Sequence, residues 1–154
     1  MITANIMTDA VTVAPGASLA EAARVMLARN AGSLQVVDEA GQLLGILTES
    51  DLLRQAALES HDGQHVCWLK AFLAAAPLVV DYSPAHGRKV SDVMTLNPTS
   101  LGPEDTLAEA AKTMRRLNVK RLPVVDEGTL VGLLSIGDLL AALTNGHPAP
   151  QALA

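Results

Sequence analysis

The chain has 154 residues, of which 49% are hydrophobic and only 2% aromatic, so a packed core must be built from Leu, Val, Ile, Ala and Met. The formal charge of −5 argues against a nucleic-acid protein, which needs a basic face to neutralise phosphates. One cysteine, Cys67, excludes an intramolecular disulfide and any multi-thiolate metal site, which points to a reducing, cytoplasmic compartment.

Residues 1–9 lack a basic stretch followed by an apolar one, so no secretory signal is expected. After IMT at 6–8, VTV at 11–13 reads as a short extended piece. A helix then opens at Ser18, with Leu19, Ala22, Ala23, Met26 and Leu27 at helical spacing. Two strands follow, LQVVD at 34–38 and LLGILT at 43–48, joined by the turn EAGQ. Their Val/Leu/Ile runs suit a sheet buried behind helices. A second helix starts at Ser50–Asp51. Residues 57–92 read as an insert: VCWLKAFLAAA at 66–76 predicts a helix, and SPAHGRK at 83–89 a turn-rich connector. Trp68, Phe72 and Tyr82, the only aromatics, all lie there. The most apolar run, 71–80, is too short for a membrane span and is broken by Pro77.

From VMT at 93–95 the pattern returns: PTSL at 98–101, a helix from Thr106 with Leu107, Ala110, Ala111, Met114 and Leu117, LPVVD at 122–126, the turn EGT, LVGLLS at 130–135, and a helix from Gly137–Asp138. GILTESDLL at 45–53 and GLLSIGDLL at 132–140 are the clearest pair. Met7 matches Met94 at an offset of 87 and SLAEAA matches TLAEAA at 88, which predicts one inserted residue near Glu104. The offset returns to 87 at Gly132, so the second hairpin is one residue shorter. The tail from Asn145 carries two prolines and reads as frayed. The expected division is 1–60, 61–89, 90–145 and 146–154.

Thr48-x-x-Asp51 and Ser135-x-x-Asp138 admit two readings. Hydroxyl and acid three apart form a helix cap, a device repeated at Ser18/Glu21 and Thr106/Glu109. The later pairs also follow a buried strand directly, where a helix N-terminus presents N–H groups to an anion and a short carboxylate can hold ribose hydroxyls. Lys120 and Arg121 enter a strand, either as a solvated edge or facing a polyphosphate; the first repeat has Gly32 and Ser33 there. Thr12 and Thr99 match on the first extended piece. A purine would sit among aliphatic side chains such as Val13, Met26 or Val36. His61, His65 and Cys67 read as solvated histidines beside a thiol, not a metal site. No nucleophile–base–orienter set, Gly-rich phosphate loop or metal cluster marks an enzyme.

The ordered set of xMT, LAEAA, VVDE and Gly-h-h-[Thr/Ser]-x-x-Asp-Leu-Leu, present twice, resembles a tandem pair of cystathionine-β-synthase (CBS) domains of the bacterial two-CBS type. The resemblance covers about 6–56 and 93–143. It implies an α/β (α+β) fold of two β-α-β-β-α repeats related by a pseudo-two-fold axis, forming one Bateman module. It further implies that Asp51 and Asp138 bind ribose and Thr48 and Ser135 phosphate. By the same resemblance Lys120 and Arg121 face phosphates, and backbone near Thr12 and Thr99 reads adenine. The implied function is a regulatory module sensing AMP, ADP, ATP or another adenosyl ligand such as S-adenosylmethionine. It would be a homodimer acting on a protein partner, without nucleic acid or membrane. The alternative is an assembly protein whose pockets bind no nucleotide.

Overall fold

The computed structural model describes residues 1–61 and 88–146. The helix expected over 66–76, its aromatics, His65 and Cys67, and the tail beyond 146 lie outside the described residues. The chain forms two compact units, and these cut across the repeat boundaries. One is Val11–Pro98. The other is Met1–Ala10 together with Thr99–Ala154.

In the Val11–Pro98 unit the order is β1 (Thr12–Val13), α1 (Leu19–Ala28), β2 (Ser33–Val37), β3 (Leu43–Thr48), α2 (Glu49–His61), α3 (Val90–Val93) and β4 (Thr95–Leu96). The sheet runs β1-β2-β3-β4, with β1 parallel to β2 and the other pairs antiparallel. Helix α1 starts where Ser18 can cap it: the Glu21 amide donates to Ser18 Oγ at 3.1 Å and the Ser18 amide to Glu21 Oε2 at 3.2 Å. Its apolar stripe of Leu19, Ala22, Ala23 and Met26 packs with Leu34, Val36, Leu47, Leu52 and Val90 in one core. Each fully buried leucine or valine there contributes roughly 1.5–3 kcal/mol. Leu27, expected on that stripe, is instead 67% exposed.

In the other unit a 3₁₀ turn (Thr3–Asn5) precedes α4 (Leu107–Leu117), β5 (Arg121–Asp126), β6 (Thr129–Ser135) and α5 (Ile136–Gly146). Single bridges from Leu101 to Val124, parallel, and from Thr8 to Leu133, antiparallel, flank β5 and β6 and reproduce the four-strand order of the first sheet. Its core holds Leu101, Ala110, Met114, Leu122, Val124, Leu134 and Leu139, with Ile6 and Met7 packed against it. The β5–β6 hairpin turns on Glu127 and Gly128, both at positive φ, the geometry of a tight type I′ turn. The β2–β3 hairpin is longer and is closed by Asp38 Oδ1, which accepts from the Ala40 and Gln42 amides at 2.9 Å each. The residue missing from the second repeat is therefore in the hairpin, as the offsets predict.

Each Met-Thr lead segment serves the repeat it does not precede in sequence. Met7 and Thr8 lie on β6 beside Gly132, and Met94 and Thr95 lie on β3 beside Gly45. A Cβ at Gly45 would stand 2.7 Å from the Thr95 carbonyl oxygen, and one at Gly132 2.7 Å from Met7 Sδ. The shared glycine is thus a point of close backbone approach.

The register also corrects one match. Val13 pairs with Val36 and Leu101 with Val124, so the counterpart of Thr12 is Ser100, not Thr99. The inserted residue accordingly lies before Leu101 rather than near Glu104.

Candidate functional site

Each repeat brings a strand straight into a helix whose first turn is closed by a hydroxyl and an aspartate. The Thr48 amide and Thr48 Oγ1 both donate to Asp51 Oδ2, at 2.8 and 2.9 Å, and the Asp51 amide donates back to Thr48 Oγ1 at 3.3 Å. In the second repeat the Ser135 amide and Oγ donate to Asp138 Oδ2 at 2.7 Å each, and the Asp138 amide returns to Ser135 Oγ at 3.1 Å. The cap is real in both.

The cap consumes only one oxygen of each carboxylate. Asp51 Oδ1 takes a 3.4 Å bond from Arg54 Nη1, on a guanidinium that is largely solvated. Among the described residues Asp138 Oδ1 has no donor, and it stays available to a ligand hydroxyl. Asp138 also lines a cleft of about 260 Å³ with Met1, Ile6, Ala141, Ala142 and Asn145. Ile6 reaches this place only through the exchanged lead segment, which repeat alignment does not reveal.

The helix N-termini offer fewer donors than their type promises. Of the four N–H groups of the α2 start, Thr48 donates to Asp51, Asp51 to Thr48 and Glu49 to the Gly32 carbonyl at 3.2 Å. The α5 start repeats this, with Ile136 donating to the Lys120 carbonyl at 2.9 Å. Only the Ser50 and Gly137 amides are left without acceptors among the described residues. A phosphate at either helix therefore needs a cationic side chain as well.

Arg121 is placed to supply it. It lies directly across the sheet from Ser135, hence on the same face at the α5 start. Its counterpart Ser33 lies directly across from Thr48. Lys120 behaves differently: its carbonyl receives the Ile136 amide, while the residue lines a groove of about 560 Å³ between α4 and α5 with Met114, Ile136, Leu140 and Leu143. The structure thus separates the pair: Arg121 opens β5 and pairs with Ser135, whereas Lys120 stands in the bend before the strand. Thr12 is exposed on β1 opposite Gln35. Thr99 is exposed and outside the ladder. Met26 and Val36, expected against a purine, are buried in the core beneath the sheet, with Val13 packed on them.

Among the described residues no group of three His, Cys, Asp or Glu could hold a metal ion, and no helix is long and apolar enough to cross a membrane. The CBS-domain family model matches residues 4–57 and 90–145. The chain is 30% identical over 149 residues to the CBS domain-containing protein YhcV of Bacillus subtilis, covering 97% of this chain and 89% of that one. It is 32% identical over 153 residues to protein MJ1426 of Methanocaldococcus jannaschii, covering 93% and 91%. The crystal structure of Arabidopsis thaliana CBSX2 in complex with AMP superposes with a TM-score of 0.72 at 26% identity, covering 95% of this chain and 98% of that one. With two matched domains, paired strand-to-helix caps and this fold, the chain belongs to the CBS-domain family and carries the domain twice.

Proposed function

We propose that the chain is a non-enzymatic regulatory module that binds an adenosyl ligand. The observation that carries this reading is the half-used carboxylate. Asp138 caps α5 with one oxygen and keeps the other for a ribose hydroxyl, beside a cleft, and its capping partner Ser135 lies across from Arg121. A cation on the Ser135 face favours AMP, ADP or ATP at the second repeat over a ligand without phosphate. That CBSX2, at 26% identity, is a complex with AMP supports the same class of ligand.

A binding module without catalysis acts by population shift: the ligand must favour one arrangement of the protein or of its complex with a partner. The groove between α4 and α5 supports assembly as a second property. Leu140 and Leu143 stand 57% and 62% exposed there, a cost to a lone chain that a second copy would remove. A homodimer is the proposed state, and a monomeric mass by sedimentation refutes it.

Thermal melting with AMP tests the ligand. At about 100 times its Kd a ligand adds about 2.7 kcal/mol, which for a chain of this size raises Tm by roughly 5–10 °C. The shift should be lost in Asp138→Ala, measured against that variant's own unliganded Tm. An undiminished shift in both Asp138→Ala and Asp51→Ala removes the carboxylates from the site.

A further inference from the structure

The two repeats differ in chemistry at a buried strand position. In the middle of β2 stands Gln35, fully buried, where β5 has Pro123. Its Nε2 donates to Ser33 Oγ at 3.4 Å, and its Oε1 has no hydrogen-bond partner among the described residues. Exchanging the two amide atoms would only move the deficit from an acceptor to a donor. A buried amide half-satisfied in this way is destabilising, and an apolar residue would avoid it, as proline does in the other repeat.

The surroundings say where the amide points. Leu34 and Val36 turn into the core, so Ser33 and Gln35 share the opposite face of β2. Directly paired residues project to the same side, which adds Thr48 beside Ser33, and Thr12 on one side and Ile46 on the other side of Gln35. A polar row, Thr12, Gln35, Ser33 and Thr48, thus runs to the capped start of α2. The Gln35 amide is tied by Ser33 toward that end. The row contains no cation. Arg54 is the basic residue bonded at this start, and it is held on Asp51. Since three of the four N–H groups there are also taken, the first-repeat site has, among the described residues, no cation on its strand face where the second has Arg121.

We propose that Gln35 is a specificity-determining residue of the first-repeat site, its free amide atom hydrogen-bonding the uncharged nucleoside part of an adenosyl ligand held by Asp51. The site accordingly takes a nucleoside without relying on phosphate. Two residues of strand, roughly 6.8 Å, separate Gln35 from the Ser33–Thr48 pair. That leaves the carboxylate to the sugar and the amide to the base. The inference rests on the ligand class proposed above.

Isothermal titration of the full chain with adenosine, and separately with AMP, tests it on wild type and Gln35→Leu, with unliganded melting alongside. Gln35→Leu should melt at or above wild type, because the orphaned atom is gone, yet bind adenosine at least tenfold more weakly. Gln35→Met, unbranched and of similar length, takes its place if leucine does not fold. Adenosine affinity within twofold of wild type in the folded variant overturns the inference while AMP binding keeps the ligand class intact. So does a fall in Tm at unchanged affinity, the mark of a purely structural side chain. Wild type that binds neither adenosine nor AMP overturns both.

Discussion

Replacing Gly45 or Gly132 by alanine adds the same methyl group to equivalent places, but the structure predicts unequal costs. At Gly45 the new Cβ meets the Thr95 carbonyl oxygen at 2.7 Å and Met94 Sδ at 2.8 Å. The oxygen is backbone in β4, a two-residue strand held on β3 by the pairs Gly45–Leu96 and Ile46–Thr95. It can retreat only by giving up that pairing. At Gly132 the nearest atoms are Met7 Sδ at 2.7 Å and Cγ at 3.0 Å, with the Thr8 oxygen further off at 3.1 Å. Methionine has three rotatable bonds and moves aside cheaply. Overpacking costs about 1–3 kcal/mol, and relief of glycine's entropy in the unfolded chain returns about 0.4–1 kcal/mol. Gly45→Ala should therefore lose about 2 kcal/mol and Gly132→Ala less than about 1 kcal/mol. At roughly 2–4 °C per kcal/mol, that is a drop of about 4–8 °C against about 4 °C or less. Thermal and urea melts read by two probes give the comparison, with coincident transitions required before either number is used. Equal losses, or a larger loss at Gly132, would refute the assignment of a rigid oxygen to one site and a flexible thioether to the other.

Arg121→Ala should weaken AMP more than adenosine and flatten the salt dependence of AMP binding; an equal loss for both ligands would deny it a phosphate role. Glu109 is fully exposed, but bonds from the Thr106 amide and hydroxyl hold its carboxyl below the ordinary value of 4.5. A lowered folded value means that the unfolded chain binds the proton more readily. The contribution is complete above the ordinary value and disappears as pH falls through the folded one. Glu109→Gln should therefore show a shallower loss of Tm on acidification below pH 4.5 than wild type; parallel acid limbs would contradict the cap's electrostatic part.

The duplicated α-β-β-α body was legible because its signals are local. Caps at Ser18 and Thr106, helical spacing after them and apolar strands before Thr48 and Ser135 each need only a short window of sequence. The lead segments were not legible, because their partners are remote. Nothing in IMTD says that Met7 packs on Gly132 rather than on the strand pair that follows it. Thr99 matches Thr12 by sequence because strands of one or two residues carry no periodicity, so the extra residue is expected near Glu104 and only the register places it before Leu101. Lys120 and Arg121 read alike as a dipeptide, and only the placed start of β5, at Arg121, leaves one in the groove and sets the other across from Ser135. Gln35 left a trace that could have been read: a long polar amide within an apolar run, where the other copy has proline.

The exchange of lead segments bears on how the protein can be divided. The chain crosses from one unit to the other between Ala10 and Val11 and again between Pro98 and Thr99. The extra residue of the second repeat falls at this latter crossing, between Met94 and Leu101, where it lengthens a bridge and shifts no hydrogen-bonded ladder. Expression boundaries drawn at the repeat ends would strand 1–10 without its host strand and deprive β3 of its edge partner. Boundaries at the crossings, 11–98 for one piece, keep each sheet whole. Two copies of one sequence pattern have thus become structurally indebted to each other, and neither can be deleted or transplanted along the line that its own motif draws.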